Sequence, residues 1–361
     1  MIRRLEAQRF RNLAPLSLVL REGSTLLVGP IGAGKTSILE AVYVATTTRS
    51  FRTSRLEECV QSSAVAEEQG FWSAAEVENA RRSRLEVAWS TAGGLQRSVD
   101  GERLSISEHL ERQPVLAFSW QDAETWVGDP ELRRRFVDRG LVAERTAALD
   151  PLSKYRRVLA HKRSLLAEAR ARLSDLEPWN QLFAEAAGAV QRMRAAYLDR
   201  LERALAEAIG VSALELPGVS LAYHPSPAAE AGDGHDLGRV LARLAAREIE
   251  ARRPLVGPHR DAIELRFRGR SLDRVASSGE RKALALLCLA AQATLLEAAE
   301  RDAALLVDDA DVELDRPGLR GVWKALRRAP QVLVSSNRPE VWEGLGASHR
   351  LALAEGRVVS G

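Results

Sequence analysis

The hydrophobic pattern at the start of the chain predicts three strands followed by a helix. Strand-like apolar runs cover residues 2–10, 16–20 and 24–28, and the third run leads directly into a glycine-rich turn. Over residues 36–44 the apolar positions recur at three- and four-residue steps, which places them on one helical face. A strand, a glycine turn and a helix therefore follow one another near the N-terminus.

The next part of the chain has the pattern of further strands. Two strand-like runs lie within residues 71–90. Asp100 and Gly101 form a hairpin-turn pair between the runs 96–99 and 103–106. We therefore expect the first part of the chain to be rich in strands and to contain a hairpin at this pair.

Residues 130–210 have a different composition, which predicts helices. The block is dominated by Ala, Leu, Arg and Glu, and Asp129 followed by Pro130 is typical of a helix start. Pro151 and Pro178 divide the block into three predicted helices. The predicted elements that follow are a strand at 219–223, a helix at 236–252 and a strand at 262–268.

Composition excludes several classes of protein. With 45% hydrophobic and 28% charged residues, the chain is neither disordered nor of low complexity. The longest apolar runs, such as 283–293, are too short to span a bilayer, and no apolar signal core follows the first residues. Cys59 and Cys288 cannot form a disulfide framework and are interpreted as buried, reduced thiols. We expect a cytoplasmic protein without membrane contact.

Arginine is abundant, but its abundance says little about partners. The chain has five lysines and 47 arginines, yet its net charge is only +3. Coding bias explains most of this enrichment, and a basic isoelectric point permits nucleic-acid binding without establishing it. Arg133, Arg134 and Arg135 form a cluster that could contact phosphate, although such a run is more often an ion-paired helix face. The sequence leaves these two interpretations open.

The glycine-rich turn satisfies the pattern G-x-x-x-x-G-K-[ST], the Walker A motif or P-loop. Its backbone N–H groups can surround a phosphate chain at a helix N-terminus. In this interpretation Lys35 bridges the β- and γ-phosphates of ATP, and the Thr36 hydroxyl is a ligand of Mg²⁺. The predicted nucleotide-binding residues are Gly29, Pro30, Ile31, Gly32, Ala33, Gly34, Lys35 and Thr36.

A second motif is an apolar run that ends in two carboxylates. Residues 304–307 predict a buried strand, and Asp308 and Asp309 follow it in the manner of a Walker B motif. Asp308 would reach Mg²⁺ through a water molecule, and Asp309 would polarise the attacking water. An apolar run that ends in aspartate is common, so this motif gains its weight from the P-loop in the same chain.

A third motif lies 30 residues before the Walker B strand. Ser277, Ser278 and Gly279 open a predicted helix, and a helix start of this kind can bind an anion or serve only as a cap. Its position matches the signature sequence of ABC-type ATPases, and residues 313–315 resemble the D-loop that follows Walker B. The histidine found after the next strand in many ABC ATPases is absent. The candidate γ-phosphate sensors are therefore Ser336 and Asn337.

Taken together, these motifs resemble the RecF family, in the SMC-like branch of the ABC ATPases. Two departures from the family pattern are Ile31, where the family usually has Asn, and Ser278, where Gly or Gln is usual. The segments that carry the resemblance are 10–12 (Phe-Arg-Asn), 29–36, 130–138 (Pro-x-x-Arg-Arg-x-Phe-x-Asp), 257–261 (Gly-Pro-His-Arg-Asp), 277–280 and 306–309.

The resemblance implies an α/β fold. We expect an ABC-type P-loop ATPase head, made of a mixed sheet with helices and an antiparallel β subdomain. Residues 1–120 and 211–361 would form the head, and residues 121–210 would form an inserted α-helical arm.

The resemblance also implies a function. ATP and Mg²⁺ would lie between residues 29–36 of one chain and residues 277–279 of a second, so that ATP favours a homodimer. That dimer would clamp double-stranded, gapped or junction DNA and act with the RecR and RecO proteins to load recombinase in the bacterial cytoplasm and nucleoid. The resemblance implies a weak, DNA-stimulated ATPase. Because Asp309 stands where many ABC ATPases have the longer Glu, we expect its hydrolysis of ATP to be slow.

Two other classes of ATPase remain as alternatives. An SMC-like chromosome-organising ATPase needs a long coiled coil, which the interrupted block 130–210 does not supply. A transporter ATPase subunit would have its Walker A and signature motifs about one hundred residues apart, and here the separation is far larger.

Overall fold

A computed structural model describes residues 1–61, 69–79, 81–168, 172–227 and 237–360. The chain packs as two compact units. The first unit comprises 1–124, 203–216 and 276–361, and the second comprises 125–202 and 217–275. The sequence-based division differs from this one, because it placed residues 217–275 in the head and 203–210 in the inserted arm.

The bounds of the regular elements in the described residues are as follows. The strands are β1 (Ile2–Gln8), β2 (Leu16–Val19), β3 (Gly23–Val28), β4 (Gly70–Glu78), β5 (Arg82–Ser90), β6 (Gly94–Val99), β7 (Val115–Phe118), β8 (Ser220–His224), β9 (Ala262–Phe267), β10 (Arg270–Ser271), β11 (Ala304–Val307), β12 (Gln331–Ser336), β13 (His349–Ala354) and β14 (Arg357–Ser360). The helices are α1 (Lys35–Thr47), α2 (Ile106–Glu111), α3 (Trp120–Ala123), α4 (Pro130–Glu144), α5 (Leu149–Ala167), α6 (Leu173–Ser212), α7 (Leu237–Ala251), α8 (Leu272–Val275), α9 (Ser278–Ala298) and α10 (Arg316–Leu326). Across the described ranges, none of these helices is both long and apolar enough to cross a membrane.

A six-stranded mixed sheet forms the centre of the first unit. Its strand order is β14-β13-β3-β12-β11-β7, and all neighbouring pairs are parallel except β13 and β14. The strand that precedes the P-loop, β3, lies between β12 and β13, which come from the other end of the chain. Because parallel strands end at the same edge of a sheet, this order brings the ends of β3, β11 and β12 together.

A five-stranded antiparallel sheet, in the order β2-β1-β4-β5-β6, completes the first unit. Helix α1 packs against β4 and β5 of this sheet and against β7 and β12 of the mixed sheet. The side chains of α1 that face inward, including Leu39, Val42 and Val44, are fully buried in one core with Leu5 and Leu85. The mixed sheet with helices and the antiparallel subdomain confirm the predicted fold class.

The predicted hairpin at Asp100 is only half correct. Strand β6 enters the turn, but after it the pairing is reduced to a single bridge between Val99 and Glu102. The chain then forms α2, because the Ser105 side chain accepts a hydrogen bond from the Glu108 amide and Glu108 bonds back to Ser105. This capping box stabilises a helix start where the alternating pattern predicted a strand.

The three helices predicted over 130–210 are α4, α5 and α6. The second unit contains α4, α5 and α6 as far as Glu202, together with α7 and a small antiparallel sheet of β10, β9 and β8, whereas the end of α6 from Arg203 belongs to the first unit. Asp129 caps α4 through the amide of Glu131, as predicted. Pro151 lies in the first turn of α5, and Pro178 lies inside α6, near its start. Both prolines therefore mark helix beginnings more closely than helix ends.

Asp261 explains why residues 217–275 pack with the helices. Its carboxylate is fully buried and accepts hydrogen bonds from the Tyr223 hydroxyl at 2.6 Å and from the Arg194 guanidinium at 3.0 Å. Arg194 also pairs with both oxygens of Asp138, and the amide of Ser226 donates to Asp261. This buried network joins β8 and the turn before β9 to α4 and α6, and such a network is costly to break.

Candidate functional site

The P-loop connects β3 to α1 through glycines in conformations that other residues adopt with strain. Gly32 and Gly34 have φ values of 81° and 101°. A Cβ atom on Gly29 would lie 2.3 Å from the carbonyl oxygen of Leu353, which is too close for any side chain. The loop therefore depends on glycine for its path and for the close approach of β13.

Lys35 begins α1 and folds its side chain back across the loop. Its Nζ atom donates to the carbonyl oxygens of Gly29 at 2.7 Å and of Pro30 at 3.0 Å, and the side chain is largely buried. Ala33 is buried beneath the loop, whereas Ile31 is 87% exposed at its tip. The ammonium group thus lies within the loop, where it can interact with a phosphate chain.

The Walker B strand ends beside the P-loop. Oδ1 of Asp308 accepts a hydrogen bond from the Thr36 hydroxyl at 2.8 Å and another from the Ser335 hydroxyl at 2.6 Å. The two residues predicted to hold Mg²⁺, Thr36 and Asp308, are therefore in direct contact although 272 positions separate them in sequence. The sheet order produces this contact, because β3, β12 and β11 are consecutive neighbours.

Asp309 follows in a half-buried position with an unusual backbone. Its φ is +48°, its amide donates to the Ser335 hydroxyl at 2.9 Å, and its carbonyl accepts from Nζ of Lys282 at 2.6 Å. Burial raises the pKa of the Asp309 carboxyl, and the neighbouring Asp308 raises it further, while Lys35 opposes the rise. The carboxyl is thus a stronger proton acceptor than an exposed aspartate, which suits it to polarise a water molecule.

The signature residues begin α9 as an exposed, capped helix start. The Ser277 side chain accepts from the Glu280 amide, and Glu280 bonds back to Ser277, which forms a capping box. Ser277 and Ser278 are exposed, and a Cβ atom on Gly279 would lie 3.0 Å from the carbonyl oxygen of Glu313. The cap interpretation is therefore correct for Ser277 within one chain, and the neighbouring Ser278 is exposed.

A cleft of about 440 Å³ lies along the P-loop, within the range of small-ligand sites. None of the signature residues lines it within the described part of the chain. The residues that line it are Arg11, Asn12, Gly32, Ala33, Gly34, Lys35, Thr36, Ser37, Arg52, Glu58 and Val60.

Two arginines of this cleft are held by one buried carboxylate. Glu40 on α1 is fully buried and pairs with Arg11 at 2.7 Å and with Arg52 at 3.1 Å. Burial opposes ionisation of Glu40, but hydrogen bonds from Arg11 and Ser50 outweigh it, so its pKa lies below the ordinary value. Because the two guanidinium groups share one carboxylate, they keep part of their positive charge on the wall of the cleft.

Several residues of the site were not found by sequence reasoning. Asn12, in the segment between β1 and β2, donates to the carbonyl of Gly32 at 2.6 Å and accepts from the Ser37 hydroxyl at 2.7 Å. It therefore connects the P-loop to the first turn of α1. Its place in the Phe-Arg-Asn element was the only available signal. Ser335 and Lys282 also lacked any motif that predicts their contacts with Asp308 and Asp309.

The two candidate γ-phosphate sensors lie in different surroundings. Ser336 is fully buried, and its hydroxyl accepts from the amide of Arg338 at 3.0 Å. Asn337 is exposed after the end of β12. The hydroxyl that contacts the Walker B carboxylate belongs instead to the preceding residue, Ser335. Side chains alternate along a strand, so a shift of one residue changes the face.

The arrangement fits ATP and Mg²⁺. The hydroxyl of Thr36 and the carboxylate of Asp308 are hard oxygen donors at a helix N-terminus, and Mg²⁺ in nucleotide sites typically binds one or two such groups together with phosphates. No cluster of three or more His, Cys, Asp or Glu side chains suited to a metal occurs within the described ranges. Thr36 and Asp308 are thus two oxygen donors that could hold Mg²⁺ together with phosphate groups.

The arginine cluster of α4 is engaged within the chain. Arg133 donates to the carbonyl of Trp126, Arg134 donates to the carbonyl of Asp261, and Arg135 pairs with Glu131. These contacts favour the ion-paired, structural interpretation of the run over a free phosphate-binding surface.

Comparisons with known proteins agree with the motifs. The family described as "RecF/RecN/SMC N terminal domain" matches residues 1–359. The "DNA replication and repair protein RecF" of Synechococcus sp. (strain JA-2-3B'a(2-13)) is 31% identical over 93% of this chain and 90% of its own length.

Two solved structures give the same fold. A structure titled as the recombination mediator protein RecF-ATP in the RecFOR pathway superposes with a TM-score of 0.84 at 23% identity, over 99% of this chain and 96% of that one. The structure of an Smc head bound to the C-terminal winged-helix domain of ScpA gives a TM-score of 0.58 at 17% identity, over 100% of this chain and 97% of that one. With these matches along nearly its whole length, the chain belongs to the RecF family of the RecF/RecN/SMC group.

Proposed function

We propose that this protein is an ATP-dependent, DNA-binding recombination mediator. Curated relatives along nearly the whole chain carry the name "DNA replication and repair protein RecF", and a structure with the same fold is titled as a recombination mediator with ATP. In this proposal the first unit is the ATPase head and the second unit is the arm. The protein acts in the bacterial cytoplasm, at the nucleoid.

The observation that carries the proposal is the hydrogen bond between Thr36 and Asp308. It joins the P-loop to the Walker B strand, which is the arrangement that a nucleotide-hydrolysing site requires. Thr36 and Asp308 would hold Mg²⁺, which would neutralise part of the phosphate charge of ATP. Lys35 binds the same phosphates, and Asp309 accepts a hydrogen bond from the attacking water and aligns it for hydrolysis.

The proposal includes a homodimer, because the signature helix start is exposed and lies outside the P-loop cleft of its own chain. Ser277, Ser278 and Gly279 of one chain would contact the γ-phosphate bound to the P-loop of the other. These contacts exist only while the γ-phosphate is present, so ATP favours the dimer and hydrolysis releases it.

The dimer is proposed to clamp gapped or junction DNA. With RecR and RecO it would promote loading of recombinase on single strands in DNA repair, replication restart and induction of the SOS response. Hydrolysis is slow in this scheme, because the Asp309 side chain is one methylene shorter than glutamate and places water less well. DNA binding stimulates the weak ATPase and so limits the lifetime of the clamp.

Light scattering after size exclusion tests the ATP-dependent dimer. With saturating ATP and Mg²⁺ the mass should approach twice the 39.6 kDa of one chain, and with ADP it should remain that of one chain. Lys35→Met should abolish both hydrolysis and dimerisation, since it removes the ammonium that binds the phosphates.

Ser278→Arg is the matched control for the dimer. It places a bulky cation at an exposed position without altering the Ser277 cap, so it should bind ATP as a monomer. A wild-type protein that binds ATP but stays monomeric at saturation would contradict the proposed clamp.

A further inference from the structure

Lys282 is a buried lysine whose side chain ends on the backbone of the Walker B aspartate. It lies in the second turn of α9, five residues after Ser277, and its side chain is 4% exposed. Its Nζ atom donates to the carbonyl oxygen of Asp309 at 2.6 Å. Lysine is rarely buried to this extent without a partner, so this contact defines where the side chain ends.

The peptide groups on both sides of the Asp309 Cα atom are fixed by side chains. The amide donates to the Ser335 hydroxyl at 2.9 Å, and the carbonyl accepts from Lys282. Between these two contacts the backbone has φ +48°, a left-handed conformation that costs a residue with a side chain about 1 kcal/mol or more. The contacts from β12 and α9 therefore hold Asp309 in a conformation that it would not adopt by itself.

Charge gives Lys282 a second link with the site. Burial lowers the pKa of its ammonium group, and the carboxylates Glu313, Asp309, Asp311 and Asp308, in decreasing order of effect, oppose the decrease. The ammonium also lies 6.0 Å from the centre of the Phe118 ring. A cation at this point balances part of the negative charge that the end of β11 and the segment after it bring together.

We propose that Lys282 is a positioning residue for ATP hydrolysis, which sets the direction of the Asp309 carboxylate by holding the carbonyl of the same residue. The inference rests on the proposed ATPase function. Because Lys282 and the signature serines share α9, a displacement of this helix moves the carbonyl of Asp309 as well. The side chain thus links the signature end of α9 to the water-polarising group of the same chain.

Lys282→Met tests the inference, since it keeps most of the apolar stem and removes both the charge and the donor. We expect turnover of ATP to fall about 10- to 100-fold, while the dissociation constant for ATP stays within about twofold of wild type. Without nucleotide, hydrogen exchange of the peptide that covers residues 304–315 should become faster. The matched control is Lys324→Met, the same change at an exposed position of α10, which should leave all three measurements unchanged.

Conservative variants separate positioning from a general structural role. Lys282→Arg retains charge and donors and should recover part of the turnover that Lys282→Met loses. If Lys282→Met does not fold, Lys282→Gln, which keeps a polar group in the buried site, should show the same loss of turnover at unchanged ATP affinity. Parallel loss of affinity and turnover in folded variants, or wild-type turnover in either neutral variant, would overturn the inference. A wild-type protein that binds ATP without hydrolysing it would instead refute the proposed function and leave the exchange measurement interpretable.

Discussion

Asp308 shares one carboxylate oxygen between two hydroxyl groups that come from different parts of the chain. The Thr36 hydroxyl donates to it from the first turn of α1, and the Ser335 hydroxyl donates to it from β12. Ser335 also accepts the amide of Asp309, so a single hydroxyl fixes both Walker B aspartates. At the scale of residues, the position of the two Walker B aspartates depends on a serine that belongs to none of the recognised motifs.

Ser335→Ala should reduce ATP turnover about tenfold with little change in ATP affinity. It leaves the Asp309 amide without its acceptor in a partly buried site and frees Asp308 on one side, at a cost of about 1–3 kcal/mol in stability. Steady-state kinetics, nucleotide titration and thermal melting measure the three effects.

Ser336→Ala provides the comparison, because Ser336 was a sequence-based candidate for the γ-phosphate sensor. Its hydroxyl accepts the amide of Arg338. If Ser336→Ala lost more turnover than Ser335→Ala, Ser335 would not be the serine that positions the Walker B aspartates.

The site residues that could be predicted from the sequence are those that belong to a short motif of neighbouring residues. The P-loop and the Walker B aspartates were identified because glycines, an apolar strand and carboxylates follow one another locally. Asn12, Ser335 and Lys282 were not, because their partners Gly32, Asp308 and Asp309 become neighbours only through the folded sheets and α9. Single polar residues carry no periodic signal that reveals such contacts.

At the scale of secondary-structure elements, the turn 257–261 connects the sheet of the second unit to its helices through side-chain contacts. The Tyr155 hydroxyl of α5 lies 2.8 Å from Nδ1 of His259 and accepts the His259 amide at 3.0 Å. Gly257 leaves no room for a side chain, since a Cβ atom would lie 2.6 Å from the Phe183 ring. Sequence patterns predicted β8, β9 and α7, but not that this turn would join them to the helical block, because that depends on buried polar contacts.

Stability should fall as the pH is lowered, in part through His259. Burial and the nearby Arg163 lower its pKa from 6.5 to about 4, so the folded protein favours the neutral ring. The contribution of this group is complete above about pH 6.5 and is lost as the pH falls towards 4, with a limit of about 3 kcal/mol. Chemical denaturation at pH 7.5 and 4.5 measures the difference, which should be smaller for His259→Gln. An equal difference in the two proteins would contradict this attribution.

The whole molecule combines a nearly neutral net charge with an ATPase head assembled from both parts of the chain. A net charge of +3 provides little long-range attraction for DNA, and Arg11 and Arg52 are already bound to Glu40 beside the P-loop. DNA affinity should therefore depend on the assembly of two copies more than on the charge of one. Composition alone did not predict the two-unit division. Residues 203–210, expected in the arm, pack with the first unit, and residues 217–275, expected in the head, pack with the second.

Binding of gapped DNA should require ATP and decrease steeply with salt. For each phosphate contacted, the logarithm of affinity falls with the logarithm of salt with a slope of about −0.9, so a dimer that contacts four phosphates loses about 100-fold between 50 and 200 mM. Fluorescence anisotropy with gapped and fully duplex DNA, with ATP or ADP, measures this dependence. Ser278→Arg should bind weakly under all conditions. Equal affinity of wild type with ATP and with ADP would exclude an ATP-gated clamp.

The position of β3 between β12 and β13 also has a consequence for protein synthesis. The P-loop strand leaves the ribosome about 300 residues before the strands that cover both of its edges. Because translation adds about 5–20 residues per second, the apolar strand β3 remains without its neighbouring strands for roughly 15 to 60 s. During that interval it can pair with the wrong edge or with another nascent chain. The fold thus makes the nucleotide site one of the last parts of the head to form, and a chain that stops early carries a complete P-loop sequence without the sheet that supports it.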